Sequence, residues 1–297
     1  MTIATAQSHT TVTSSDGTAI YATAVGNPEL PSIVFIHGFA LSAKVFERLF
    51  SDSRLLQRFY LVAFDVRGHG RSGKPLSPES YEQRLFADDF KAVLDHFGLK
   101  KPIVVGWSLG GLVIADIFAH LPREMVSAVV YLNSLPWGGP AIPRVATPEI
   151  LAILPQVIGA TGDIDVATTF AARVHFIEMC FNEPAEDIPI SIKWEWLGMG
   201  VTQPPAVAGM AVGRTQDESG LVEAGRAGLP VLLVYGTRDR LLDGSAVESL
   251  LRENFMALEV HKIEGGSHSP FADEGYEETV VALEKYAKSL IRRESYK

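Results

Sequence analysis

Gly106-Trp107-Ser108-Leu109-Gly110 constrains this chain more than any other stretch. An apolar run, Pro102-Ile103-Val104-Val105, leads into it, and a helix-like run from Gly111 to Ala119 leaves it. A G-x-S-x-G pentapeptide between strand and helix makes a nucleophile elbow, a turn that holds the serine hydroxyl above the end of the strand. The turn is too tight for side chains at its flanks, so glycine is wanted at Gly106 and Gly110. The N–H of Leu109 then falls at a helix N-terminus, where unpaired donors favour negative charge. A serine so placed attacks an acyl carbon when a base lies nearby. The plainer alternative is a helix-entry turn with a capping serine.

The surrounding chain supplies the context that an elbow needs. Thr10–Thr13 and Ala19–Ala22 flank Ser15-Asp16-Gly17, a hairpin turn signal. Ser32–Ile36, Tyr60–Phe64 and Val126–Leu132 are short apolar runs of the kind expected for strands buried on both faces. Helical periodicity runs from Tyr81 to Phe97, with Gly98 as its stop. After a gap, alternation resumes with Pro230–Tyr235, a helix near Ser245–Glu253, the strand Leu258–Ile263 and a closing helix from Glu274 to about Ile291. Alternating buried strands and helices predict an α/β fold, a mostly parallel eight-stranded sheet flanked by helices. From Pro136 to Ser219 there is no such alternation, prolines are frequent, and a helix is expected over Ala167–Cys180. Two domains are therefore expected: a core made of 1–135 and 220–297, and an inserted helical cap, 136–219.

Charge and composition exclude several partners. The 297 residues carry a net charge of −9 without any Lys/Arg run, which argues against nucleic acid or an anionic membrane. Cys180 is the one cysteine, so no intrachain disulfide forms and a thiolate metal site is disfavoured. No apolar run approaches the ~18 residues of a membrane span. The first residues lack a basic segment followed by an apolar one, so the cytoplasm is the expected compartment. The exposed helices are compatible with a homodimer.

A serine hydroxyl needs a base, and histidine suits that role. Of eight histidines, His268 is the best placed, in Gly265–Phe271 between the last strand and the last helix. Loops after parallel strands gather on one sheet edge, the edge that carries Ser108. His96, His120, His175 and His261 read as helix-end or solvent-facing residues, and His9 lies in the N-terminal stretch. Asp239, in Gly236-Thr237-Arg238-Asp239 after the strand ending at Tyr235, can hold the imidazole. Asp243 is the nearest alternative, but it reads better as the cap of the following helix. Two backbone donors should stabilise an oxyanion, Leu109 and, from His37-Gly38-Phe39-Ala40, Phe39. His37 is expected to brace that loop.

His37-Gly38-Phe39, Asp65–Ser72, the Ser108 pentapeptide, Gly236–Asp239 and Gly266–Pro270 together resemble the α/β-hydrolase superfamily, in order and over essentially the whole chain. The order Ser108, Asp239, His268 is the one the family uses. In some relatives the acid follows the strand after the nucleophile; here that strand ends in Asn133-Ser134, which carry no charge. The Asp65–Ser72 loop is structural in relatives, so His69 is not implied to be catalytic. Ser267 departs from the usual Gly–x–Gly–His pattern.

Serine at the elbow separates the chain from relatives with aspartate there, the haloalkane dehalogenases and epoxide hydrolases. Acyl chemistry remains, and the resemblance implies a carboxylesterase-like serine hydrolase of small to medium, uncharged or weakly polar esters, with no metal or organic cofactor. Lactonases, perhydrolases and carbon–carbon bond hydrolases of the same fold are the rival enzymes, and a slow-turnover ligand-binding receptor is the rival class. Phe39, Trp107, Trp137 and Trp194 are the expected substrate contacts, from among large apolar residues that also include Phe170, Phe176 and Trp196. Packing of the cap's own core is the competing use for each.

Overall fold

The apolar runs all enter one sheet. In the computed structural model, which describes residues 7–159, 165–182 and 189–294, the strands are β1 (Ser8–Thr13), β2 (Ala19–Val25), β3 (Ser32–Ile36), β4 (Tyr60–Phe64), β5 (Ile103–Ser108), β6 (Ala128–Ser134), β7 (Pro230–Gly236) and β8 (Ala257–Ile263). Their order is β1-β2-β4-β3-β5-β6-β7-β8. β2 runs antiparallel to β1 and β4, and every pairing from β4 through β3 to β8 is parallel. β4, β5 and β6 are buried along their whole length, which is why they read as unbroken apolar runs. The edge strand β8 is mostly half-buried.

Helices cover both faces. α1 (Gln83–Phe97) begins two residues later than the periodicity suggests, because Pro78–Tyr81 form a tighter turn. It stops at Gly98, whose φ of 64° is left-handed, as a glycine cap permits. α2 (Gly110–His120) follows the Ser108 turn and is mostly apolar, buried from Gly110 to Phe118 between the sheet and its neighbours.

Between β6 and β7 the described residues hold no strand. They hold α3 (Pro148–Ile158), α4 (Val166–Met179), α5 (Ile190–Val201), α6 (Pro205–Val212) and α7 (Ser219–Arg226). Arg173 of α4 joins three of these. Its Nη1–H donates to the carbonyls of Gly200 (2.6 Å) and Gln203 (3.0 Å), and its Nε–H to Val157 (3.3 Å). The exit of this segment is tied to α2: Arg214 pairs with buried Asp116 at 2.6 Å, and Gln216 bridges Gly138, Leu112 and Asp116. After β7 come α8 (Gly244–Arg252), capped by Asp243 as expected, and α9 (Tyr276–Glu294). Among the described residues no helix is long and apolar enough to cross a membrane.

Candidate active site

The six parallel strands send the loops that follow them to one sheet edge, with the turn at Ser108 among them. Ser108 has a φ of 54°, left-handed for a residue with a side chain, and such strain clusters at functional sites. Close packing on both sides holds the turn. A Cβ at Gly110 would lie 2.2 Å from the Ile36 carbonyl oxygen, so only glycine lets α2 start there. The Ser108 carbonyl accepts from the Ser134 hydroxyl (2.7 Å) and the Leu135 N–H (3.1 Å).

The loop after β3 lies directly against this serine. A Cβ on Gly38 would sit 3.0 Å from the Ser108 Cβ. His37 braces that loop: its Nδ1–H donates to the Gly38 carbonyl (2.7 Å), and its Nε2 accepts from the Val66 N–H (2.9 Å). Burial lowers its pKa and keeps the ring neutral, as an accepting Nε2 requires. His69, against both His37 and Phe39, is pushed down to about 3, chiefly by burial.

Asp239 and His268 meet on the same sheet edge, in the loops after β7 and β8. His268 Nδ1–H donates to Asp239 Oδ2 at 2.8 Å, and both side chains are buried. That bond leaves the lone pair on Nε2, which has no hydrogen-bond partner among the described residues. The other carboxylate oxygen accepts the N–H groups of Leu241 (2.8 Å) and Leu242 (3.0 Å). A residue that charge-based reading passes over reaches the oxygen that His268 uses: the Asn133 amide donates to Asp239 Oδ2 at 2.9 Å and to the Ser267 carbonyl at 3.1 Å. Trp107 Nε1–H donates to the His268 carbonyl at 2.9 Å. The elbow, the β6 exit and the last two loops thus form one hydrogen-bonded unit. Cys180 lies near Asp239, and burial raises its thiol well above its ordinary range, so it stays protonated. Among the described residues no three His, Cys, Asp or Glu side chains converge as a metal site.

Ser108 opens on a cavity of about 70 Å³. Phe39 and Leu109 line it, with Leu112, Ile150, Leu154, Phe176 and other carbon side chains. Among the described residues, Ser108 is the only hydroxyl in the lining. Larger clefts, of about 760 and 570 Å³, contain none of Ser108, Asp239 and His268.

The aromatic contacts expected from sequence are distributed differently. Phe39 lines the cavity, and Trp107, Trp137 and Trp194 do not. Trp107 is 1% exposed and packs behind His268, its ring 5.5 Å from the imidazole and 5.4 Å from Trp196. Trp137 lines a separate cleft with Arg144 and Asp217. Trp194 faces solvent on α5, 67% exposed. Aliphatic residues of α3 take the positions foreseen for tryptophan, because periodicity alone does not say which helix face meets the serine.

Residues 33–282 match the sequence profile of the alpha/beta hydrolase family. The chain belongs to that family. This hydrolase superposes on a putative aryl esterase of Burkholderia cenocepacia with a TM-score of 0.84 and 26% identity, covering 96% of this chain and 100% of the other. An esterase of Rhodococcus sp. ECU1013 gives the same TM-score and identity over 95% and 99%. In sequence the hydrolase is 34% identical over 129 residues to a bifunctional esterase/perhydrolase of Acinetobacter calcoaceticus, a match spanning 42% of this chain and less than half, 44%, of that relative.

Proposed function

We propose that this hydrolase cleaves small carboxylic esters through an acyl-enzyme on Ser108. The observation that carries the reading is the conjunction at one sheet edge of a strained serine facing an apolar cavity and a buried Asp239–His268 pair whose Nε2 has no hydrogen-bond partner among the described residues. Esterases among the structural neighbours support it.

Each residue has a role set by its position. His268 Nε2 takes the Ser108 proton as Oγ attacks the acyl carbon, then hands it to the departing alkoxide. Asp239 holds the Nδ1–H tautomer and offsets the imidazolium charge. The N–H groups of Phe39 and Leu109 receive the oxyanion, the second helped by the α2 dipole. Water, deprotonated by the same Nε2, releases the acid and restores Ser108. In this reading 136–219 is a cap over a core formed by 1–135 and 220–297, and its helices α3 and α4 wall the acyl site.

The test is steady-state hydrolysis of p-nitrophenyl esters of rising acyl length by wild type and Ser108→Ala. Sustained turnover by wild type, reduced by roughly a thousandfold or more in the variant, is expected. Equal rates in both proteins, or a single burst without turnover, would overturn the proposal.

A further inference from the structure

Asn133 is placed at local cost. It is the extra residue of a bulge: along β5 and β6, Trp107 pairs with Leu132 but Ser108 pairs with Ser134. Its φ of 42° is left-handed. Its side chain is in a residue only 2% exposed, and its Oδ1 has no hydrogen-bond partner among the described residues. A bulge next to an active site re-aims a side chain, and each of these features is unfavourable unless something else requires it. What the side chain gains is two hydrogen bonds from one Nδ2, to Asp239 Oδ2 and to the carbonyl of Ser267, the residue before His268. Turning the amide over would set Oδ1 against two acceptors, so the network itself fixes which atom is nitrogen.

We propose that Asn133 is a positioning residue for the Asp239–His268 pair. This inference rests on the serine-hydrolase reading above. The Leu241 and Leu242 N–H groups hold one carboxylate oxygen, and Asn133 holds the other, the same oxygen that receives His268 Nδ1–H. Together they fix the carboxylate plane, so that Oδ2 faces the ring. The second bond ties the His268 loop to the same amide. The amide also draws negative charge from Oδ2 and so weakens the field that Asp239 exerts on the ring. Removing it strengthens that field, which moves the acid limb of kcat/KM to higher pH.

Asn133→Gly is the decisive variant, because glycine adopts the left-handed backbone without strain and removes only the amide. The expected result is a melting temperature within a few degrees of wild type, kcat lower by roughly ten- to hundredfold, KM little changed, and an acid limb shifted upward. Asn133→Asp, of the same shape, sets a second carboxylate beside Asp239 and should move the limb further in the same direction. An unchanged kcat and acid limb in a folded Asn133→Gly would overturn the proposal. If the glycine variant does not fold, Asn133→Asp with a wild-type pH profile does the same. Ser108→Ala and His268→Ala are assayed alongside: full activity in either removes the serine-hydrolase reading itself, whatever Asn133 does.

Discussion

His37 and His69 illustrate how burial assigns work to a histidine. Both sit beside the Ser108 turn, in contact with each other, and both are fully enclosed. In the unfolded chain each takes up a proton near 6.5. In the fold both pKa values are lowered by desolvation, that of His69 to about 3. Acidification therefore charges the unfolded chain first. Their contribution to stability is complete above pH 6.5 and is lost as the pH falls toward the folded values. Each should cost about 1.4 kcal/mol per pH unit over that range. Urea unfolding from pH 7.5 to 5 should show the decline, and His69→Gln should reduce its slope by one histidine's share. A slope unchanged in the variant would mean that His69 is protonated in the native protein. His268 differs from both because its Nδ1 faces a carboxylate and its Nε2 is uncommitted, and that difference makes it the base in the proposed reaction.

At the scale of elements, Arg173 does for the helices between β6 and β7 what hydrogen bonding does for the sheet. A guanidinium 5% exposed and without a carboxylate partner among the described residues is costly to bury. Here the carbonyls at the C-terminal ends of α3 and α5 take its protons, and those ends carry the negative pole of each helix. Arg173→Met should release both ends at once. Hydrogen exchange is expected to speed up in 148–158 and 190–201 while β3 to β7 keep their protection. A uniform change across the chain would instead place Arg173 in the global folding unit. The same helices mark where sequence reading stops. Val62, Val104 and Val129 lie in strands buried on both faces, and such strands announce themselves as apolar runs. The loops that carry Ser108, Asp239 and His268 share one edge because topology sends loops after parallel strands there. Asn133 is invisible to that logic: its role depends on a bulge created by the packing of β6 against the elbow. Trp194 fails for a related reason, since α5 has weak amphipathic character and its inward face is set by tertiary contacts; Trp137 lies in the turn after β6, before the first of these helices.

The cavity at Ser108 is assembled from loops of the sheet edge and from helices between β6 and β7. Leu109 and Leu112 come from the start of α2, Leu135 from the β6 exit, Leu241 and Leu242 from the loop that carries Asp239, and the opposite wall from α3, α4 and α6. Its volume of about 70 Å³ is roughly half the ~150 Å³ that accommodates a benzene ring, enough for an acyl chain of about three carbons. Leu151, 37% exposed, stands where this lining meets solvent. Butyrate esters should therefore outpace octanoate esters, with the difference in kcat/KM. Apart from Ser108, the lining's side chains among the described residues are all carbon, with no cation to pair a charged group, so a succinate half-ester should be hydrolysed at least about a hundredfold more slowly than the butyrate ester, the penalty of burying an unpaired carboxylate. Leu154→Ala removes three carbons from the α3 wall and should move the optimum up by roughly two to three carbons. If the optimum stays where it was, the alkyl group of the leaving alcohol, and not the acyl chain, occupies this cavity, and a series of butyrate esters with lengthening alcohols would then show the shift instead.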